Sequence, residues 1–184
     1  PVPINIDNGI AAMAMAQLNG CTADEIRYGM MTYKGVDRRF DFRIRNAKHV
    51  LLSDYAHHPK EIYQSAKSMR EVYKGRHITA IFQPHLYTRT RDFYKEFADA
   101  LSQLDEVILT EIYPARELPI EGVTSKLIYD NLREGIEKSI INKKDVLDLV
   151  KQRDFDVLII LGAGDLDNYM PEIAAIIENK ERQL

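Results

Sequence analysis

Val50-Leu51-Leu52-Ser53-Asp54-Tyr55-Ala56-His57-His58-Pro59 reads as a strand handing over to a helix, and that handover decides the fold class. The apolar run Val50 to Ser53 is the pattern of a strand buried on both faces. Pro59 suits the first position of a helix, because its missing N–H costs nothing there, and Ile62, Ala66, Met69 and Tyr73 then share one helical face. The polar cluster between them sits at a strand's carboxyl end and a helix's amino end. In an open parallel sheet that edge binds ligands, and the helix end offers unpaired N–H groups with a partial positive charge.

Downstream the same alternation continues. Ile78 to Phe82 reads as a strand, followed by a helix carrying Phe93, Phe97, Leu101 and Leu104, then a strand from Glu106 to Ile112. A short helix around Leu127 to Leu132, a weak strand near Ile140, a helix near Val146 to Val150, the strand Val157 to Leu161 and a helix with Met170, Ile173 and Ile177 follow. Repeated βα units of this size predict an α/β fold with a mostly parallel sheet covered by helices. Upstream, the Ala- and Met-rich stretch Asn8 to Asn19 closes on Gly20, and Thr22-Ala23-Asp24-Glu25 looks like an N-cap with acids in the first turn of a second helix. That is a helical hairpin. Arg39-Phe40-Asp41-Phe42-Arg43-Ile44 then alternates like a strand before a turn at Asn46-Ala47, so a boundary is expected near Gly35, dividing residues 1–35 from 36–184. The reading makes a geometric claim: strands should end side by side at Asp54, Gln83, Tyr113 and Gly162.

The 184 residues suffice for one sizeable core, and 25 basic against 28 acidic residues give a net charge of -3, with no general attraction to nucleic acid or to anionic lipid. One cysteine, Cys21, rules out an internal disulfide and fits a reducing cytosol, its ordinary role being that of a small apolar residue. No apolar run approaches the length of a membrane span, and no signal peptide is visible, so membrane insertion is not expected. A first residue of Pro1 rather than Met suggests a piece of a longer protein.

His57, His58, Asp54 and His85 are ordinary ligand types for zinc or manganese, which keeps a metal-dependent hydrolase in view. Adjacent histidines do not readily chelate one ion, however, and a binuclear hydrolase calls for more carboxylates, so hydrogen-bonding roles are favoured and no metal ligand is assigned. The bland alternative is a helix N-terminus with His58 as its cap. Arg89 and Arg91 fall at the start of the next helix, where cations oppose the helix dipole. A guanidinium there matches a carboxylate or phosphate, against the alternative of solvated pairs with Asp92 and Glu96. Arg38-Arg39 lie just past the boundary, where a side chain could reach across a cleft. Gly162-Ala163-Gly164 resembles part of a dinucleotide fingerprint, but no glycine stands at the third glycine position and the strand is the last one, so it reads as a tight turn. No Gly-x-x-x-x-Gly-Lys-Ser/Thr loop occurs in the sequence.

Taken together, Gly35-Val36-Asp37-Arg38-Arg39-Phe40-Asp41, Asp54-Tyr55-Ala56-His57-His58-Pro59, Phe82-Gln83-Pro84-His85-Leu86-Tyr87-Thr88-Arg89-Thr90-Arg91 and Tyr113-Pro114-Ala115-Arg116-Glu117-Leu118-Pro119-Ile120 resemble the C-terminal part of the Mur ligase family, in its UDP-N-acetylmuramate:L-alanine ligase branch. The resemblance is ordered and covers nearly the whole chain. It implies a Rossmann-like amino-acid-binding domain over 36–184, preceded by the helical end of a central ATP-binding domain over 1–35. The implied reaction is ATP-dependent: a lactyl carboxylate is phosphorylated, and the amino group of L-alanine attacks the acyl phosphate, in cytoplasmic peptidoglycan synthesis. ATP and Mg²⁺ would be held mainly by the central domain, and the fragment would be inactive alone. Carried over residue by residue, Asn5 and Asn8 would contact adenine, Arg39 the ATP phosphates and Asp54 the ribose. Tyr55, His57, His85, Arg89 and Arg91 would line the alanine site, with His57 and Arg89 in catalytic roles. Ile4 and Leu86 depart from the family, which commonly has histidine and arginine there. The nearest rival is the murein-peptide ligase of cell-wall recycling, which shares the His-His-Pro block but attaches a tripeptide. The partners implied are L-alanine, ATP, UDP-N-acetylmuramate and the rest of the same chain.

Overall fold

The structure, a computed structural model, describes the backbone of residues 3–182 and the side chains of residues 5–182; Pro1 and the Ile4 side chain lie outside this range. Its contacts group into two compact units, one ending at Val36 and the other beginning at Asp37.

The first unit is a helical hairpin of α1 (Pro3–Leu18) and α2 (Ala23–Thr32). Gly20, with φ +89, makes the left-handed step that ends α1. Thr22 and Glu25 form a reciprocal capping box: the Thr22 N–H donates to Glu25 Oε2 at 2.8 Å, and the Glu25 N–H donates to Thr22 Oγ1 at 3.3 Å. Ile6, Ile10, Met15, Leu18 and Met31 remain exposed.

The second unit is a six-stranded sheet in the order β1-β2-β6-β3-β4-β5, built from β1 (Asp41–Arg45), β2 (Val50–Asp54), β3 (Ile78–Phe82), β4 (Glu106–Leu109), β5 (Glu137–Ile140) and β6 (Val157–Leu161). Only β1 is antiparallel to its neighbour. Asn46 sets the β1–β2 turn by accepting from the Lys48 and His49 N–H groups at 2.9 and 2.7 Å, and the pairing carries a bulge between Phe42 and Ile44. The parallel strands carry the two-residue period to both faces. Val50, Leu52, Ala80, Phe82, Val107, Leu109, Ile159 and Leu161 enter one core, while Leu51, Ile81, Ile108, Leu158 and Ile160 enter the other. α3 (Pro59–Val72), α4 (Tyr87–Leu101) and α5 (Lys126–Asn131) cover the first face through Ile62, Met69, Phe97 and Ile128. α6 (Val146–Gln152) and α7 (Met170–Arg182) cover the second through Val146, Val150, Met170, Ile173 and Ile177.

Insertion of β6 between β2 and β3 reverses the strand order and sets four carboxyl ends side by side, as the sequence predicts. Two details differ. β4 stops at Leu109 rather than Ile112, because Pro84 has no N–H with which to continue the β3 ladder; pairing resumes only as an isolated bridge between His85 and Tyr113. Leu104 lies beyond the end of α4, whose last turn closes at Ser102, and Phe93 (φ -126, ψ 16) kinks the helix that was expected to run straight through it.

Candidate active site

At the β2–α3 joint the chain uses its own side chains to hold the backbone. Glu61 Oε2 accepts from the N–H groups of His57 (3.0 Å) and His58 (3.1 Å), so the N-terminus of α3 is capped by Glu61 rather than by the His58 ring. Asp54 turns inward, accepting from the Ser65 hydroxyl and from the Ala56 N–H at 3.3 Å. Burial pushes its carboxyl above the usual range, and these hydrogen bonds offset only part of the rise. His57 Nδ1 lies 2.9 Å from the Tyr55 carbonyl oxygen. A carbonyl only accepts, so Nδ1 carries the proton and the neutral ring has its lone pair on Nε2.

The β3–α4 joint carries the complementary set. Leu86 precedes α4 at φ +73, a left-handed conformation unusual for a branched side chain, and it aims the next turn of backbone. Arg89, in that first turn, places Nη1 3.4 Å from His85 Nδ1. Guanidinium only donates, so His85 Nδ1 accepts and Nε2 bears the proton. Burial lowers the His85 pKa first, and Arg89 and His57 lower it further against an opposing pull from Glu117, which favours the neutral ring. His85 stacks on Tyr113 with centroids 5.6 Å apart. The N-terminus of α4 lacks a cap of its own; Glu117, from the loop after β4, accepts from the Thr88 N–H at 2.9 Å and from its hydroxyl.

A third element comes from the turn after β6. Gln83 Nε2 donates to Asp165 Oδ1 at 3.0 Å, while Gln83 Oε1 accepts from the Leu166 N–H at 3.0 Å. A Cβ on Gly162 would lie 2.6 Å from the Gln83 carbonyl oxygen, and one on Gly164 would fall inside the Gln83 side chain, so both glycines serve close packing in a tight turn. Lys143 pairs with Asp165 at 2.5 Å.

The chain of contacts runs continuously across the edge. The Tyr55 ring meets His57 edge-on at 5.1 Å, and His57 lies 6.1 Å from His85. Arg39, exposed, lies over Tyr55 at 5.9 Å. Tyr55, His57, His85 and Arg89 are therefore brought together, with Arg39 at one margin and Asp54 behind. Arg91 is not brought in: it faces solvent and pairs with Asp92 at 2.7 Å, the arrangement the sequence offered as the alternative. Asn5 and Asn8 lie on α1 in the first unit. Among the described residues no group of His, Cys, Asp or Glu is placed to hold a metal ion. Glu61, Gln83, Glu117 and Asp167 were missed as supporting residues. Only Glu61, three residues after the cap position, left a signal in sequence.

Residues 38–164 match the family described as Mur ligase, glutamate ligase domain. The chain is 64% identical over 98% of its length to the UDP-N-acetylmuramate--L-alanine ligase of Phocaeicola vulgatus, covering 39% of that protein, and 54% identical over 91% of its length to that of Porphyromonas gingivalis, covering 37%. It thus spans about two-fifths the length of these relatives. Among solved structures, a UDP-N-acetylmuramate-alanine ligase from Thermotoga maritima aligns over 100% of this chain and 39% of its own, with a TM-score of 0.75 at 25% identity. A murein peptide ligase from Psychrobacter arcticus shares the fold, with a TM-score of 0.68 at 16% identity over 95% of this chain and 37% of its own. With a doubly covered sheet, a loop-built carboxyl edge and a match over most of its length, the chain belongs to the Mur ligase family.

Proposed function

We propose that this chain is the amino-acid-binding domain, preceded by the helical end of an ATP-binding domain over 1–35, of a cytoplasmic ligase that joins L-alanine to UDP-N-acetylmuramate at the expense of ATP. The observation that carries this reading is Arg89: a guanidinium with no ion-pair partner among the described residues, set beside the His85 imidazole, which in turn faces that of His57. The names of the relatives support the same substrate. No helix among the described residues is long and apolar enough to cross a membrane.

In this reading Arg89 grips the α-carboxylate of alanine through its fork of donors, and Tyr55, His57 and His85 surround the amine. His57 Nε2 accepts one ammonium proton, which frees the nitrogen lone pair. The nitrogen bonds to the carbonyl carbon of the acyl phosphate, the C–O bond to the phosphoryl group breaks, and phosphate leaves with the electron pair and the second amine proton. His85, neutral, presents Nε2–H as a donor. Arg91 contributes charge near the alanine carboxylate only by leaving Asp92. Arg39 reaches the ATP phosphates, and Asn5 and Asn8 contact adenine. Asp54 offers the ribose the lone pairs left over after Ser65 and Ala56 are served. Mg²⁺ would accompany the phosphates and help to neutralise their charge, and no group of His, Cys, Asp or Glu among the described residues is placed to hold it.

The test is substrate choice by the full-length protein. Amide formation with L-alanine far exceeding that with a murein tripeptide is expected, and the reverse preference would sink this reading. Isolated 1–184 should form no amide with either.

A further inference from the structure

Arg38 and Arg39 are adjacent and chemically identical, yet the fold treats them differently. Arg38 is engaged within the domain: Nη2 donates to the Gly164 carbonyl at 3.1 Å, and Nε lies 3.0 Å from Asp167 Oδ2, an ion pair lacking the alignment of a hydrogen bond. Its guanidinium also lies 4.8 Å over the Tyr55 ring. Asp167 is held in turn by the Ser53 hydroxyl on β2. The Arg38 backbone is tied as well, its carbonyl accepting from the Tyr55 N–H and its N–H donating to Asp41 Oδ2 at 3.4 Å. Arg39, by contrast, is exposed and has no ion-pair partner among the described residues. It sits between two residues in the left-handed region, Arg38 at φ +63 and Phe40 at φ +51. Such backbone persists in non-glycine residues only when its surroundings over-determine it.

We infer that Arg38 is a positioning residue: clamped by Asp167 and the Gly164 carbonyl, it fixes the strained turn from which Arg39 reaches the nucleotide phosphates. This rests on the reading of Arg39 given above. The clamp explains why two arginines are present, since one guanidinium cannot hold the β6–α7 turn and also leave to bind a ligand. It also ties the nucleotide side of the cleft to Gln83, and so to the loop that carries His85 and Arg89, through the shared Gly162 to Asp167 turn.

The experiment compares Asp167→Asn, Arg38→Lys and Arg39→Ala in the full-length ligase, with steady-state kinetics against ATP and against L-alanine and thermal unfolding of each variant. Arg39→Ala should raise KM for ATP by about tenfold or more, the loss of one charge-assisted contact. Asp167→Asn, nearly isosteric, should raise KM for ATP by about threefold to tenfold while leaving KM for alanine and kcat at saturating ATP within twofold, the signature of lost ground-state binding. Arg38→Lys should do the same, because a point charge cannot serve two partners and a ring together. If Asp167→Asn lowers thermal stability severely, Arg38→Lys supplies the decision. A full Arg39→Ala effect with unchanged ATP kinetics in both clamp variants would overturn the clamp alone. A silent Arg39→Ala would overturn the nucleotide role of the turn, and the clamp with it. Equal shifts for ATP and alanine would mark a merely structural role.

Discussion

The two edges of one sheet put their charges to opposite uses. At the amino edge several charges are matched. Arg153 forms a fork with the buried Glu106 at 2.8 and 2.9 Å, Thr79 donates to the same carboxylate, Arg76 is paired with Asp156, and Arg70 meets Asp105. At the carboxyl edge Arg39 and Arg89 lack ion-pair partners among the described residues, His57 keeps a free Nε2, and the left-handed residues Arg38, Phe40, Leu86 and Ala115 all lie in its loops. Matching charges stabilises a fold and leaves nothing for a ligand. Holding charges open on strained loops costs stability and leaves groups ready to act.

The comparison breaks first at His57. In the proposed full-length ligase His57→Gln should lower kcat by about 10²- to 10⁴-fold, the usual worth of a general base, with thermal stability nearly unchanged. A loss below tenfold, measured by phosphate release, would leave His57 as a wall of the site. Arg89→Ala should raise KM for L-alanine by roughly 10- to 100-fold, in line with a charged hydrogen bond of about 1.5–3 kcal/mol. An unchanged KM would place the carboxylate grip elsewhere.

At the other edge the expected effect is smaller and of a different kind. Glu106→Gln should destabilise by about 1–3 kcal/mol, discounted from a fully buried pair because Arg153 is 40% exposed, and should leave KM values alone. Burial alone would raise the Glu106 carboxyl, but the hydrogen bonds from Arg153 and Thr79 outweigh it and hold the pKa below 4.5. Its stabilisation is therefore complete above pH 4.5 and is lost as pH falls through the lowered native value. Asp54 has the opposite sign. Its native pKa is raised above 3.8, so the folded state binds more protons than the unfolded one and Asp54 costs stability as pH rises through that interval. Asp54→Asn should thus stabilise the domain by roughly 0–1 kcal/mol at pH 7, a gain that fades as pH falls through the raised native pKa and is absent below 3.8, read by denaturant midpoints across the pH series. A loss of stability at pH 7 would show that the Ser65 and Ala56 hydrogen bonds outweigh burial.

Much of this division is legible in the sequence. The strands Val50–Asp54, Ile78–Phe82 and Val157–Leu161 are apolar runs bounded by turn residues, and the rule that ligands gather at carboxyl ends then points to the loops that hold His57, His85 and Arg89. What sequence does not carry is partnership across distance. Glu117 caps α4 from 29 positions away, and Gln83 reaches Asp165 across 82. Adjacent Arg38 and Arg39 read alike because their difference lies in a left-handed turn that no composition rule marks. The overlong reading of β4 has the same origin: Thr110, Glu111 and Ile112 suit a strand, but a strand also needs a neighbour able to donate.

The bulge between Phe42 and Ile44 has a consequence for how this chain behaves in a crowd. A parallel sheet whose outermost strand lay flat would invite another copy to add a strand and propagate. Here the rim is an antiparallel strand bent by the bulge and studded with Asp41, Arg43 and Arg45, and the opposite rim is the short, half-exposed β5 with Glu137 and Lys138. Both rims carry features that disfavour strand addition, so the carboxyl edge can stay open without the sheet offering its sides to its own kind.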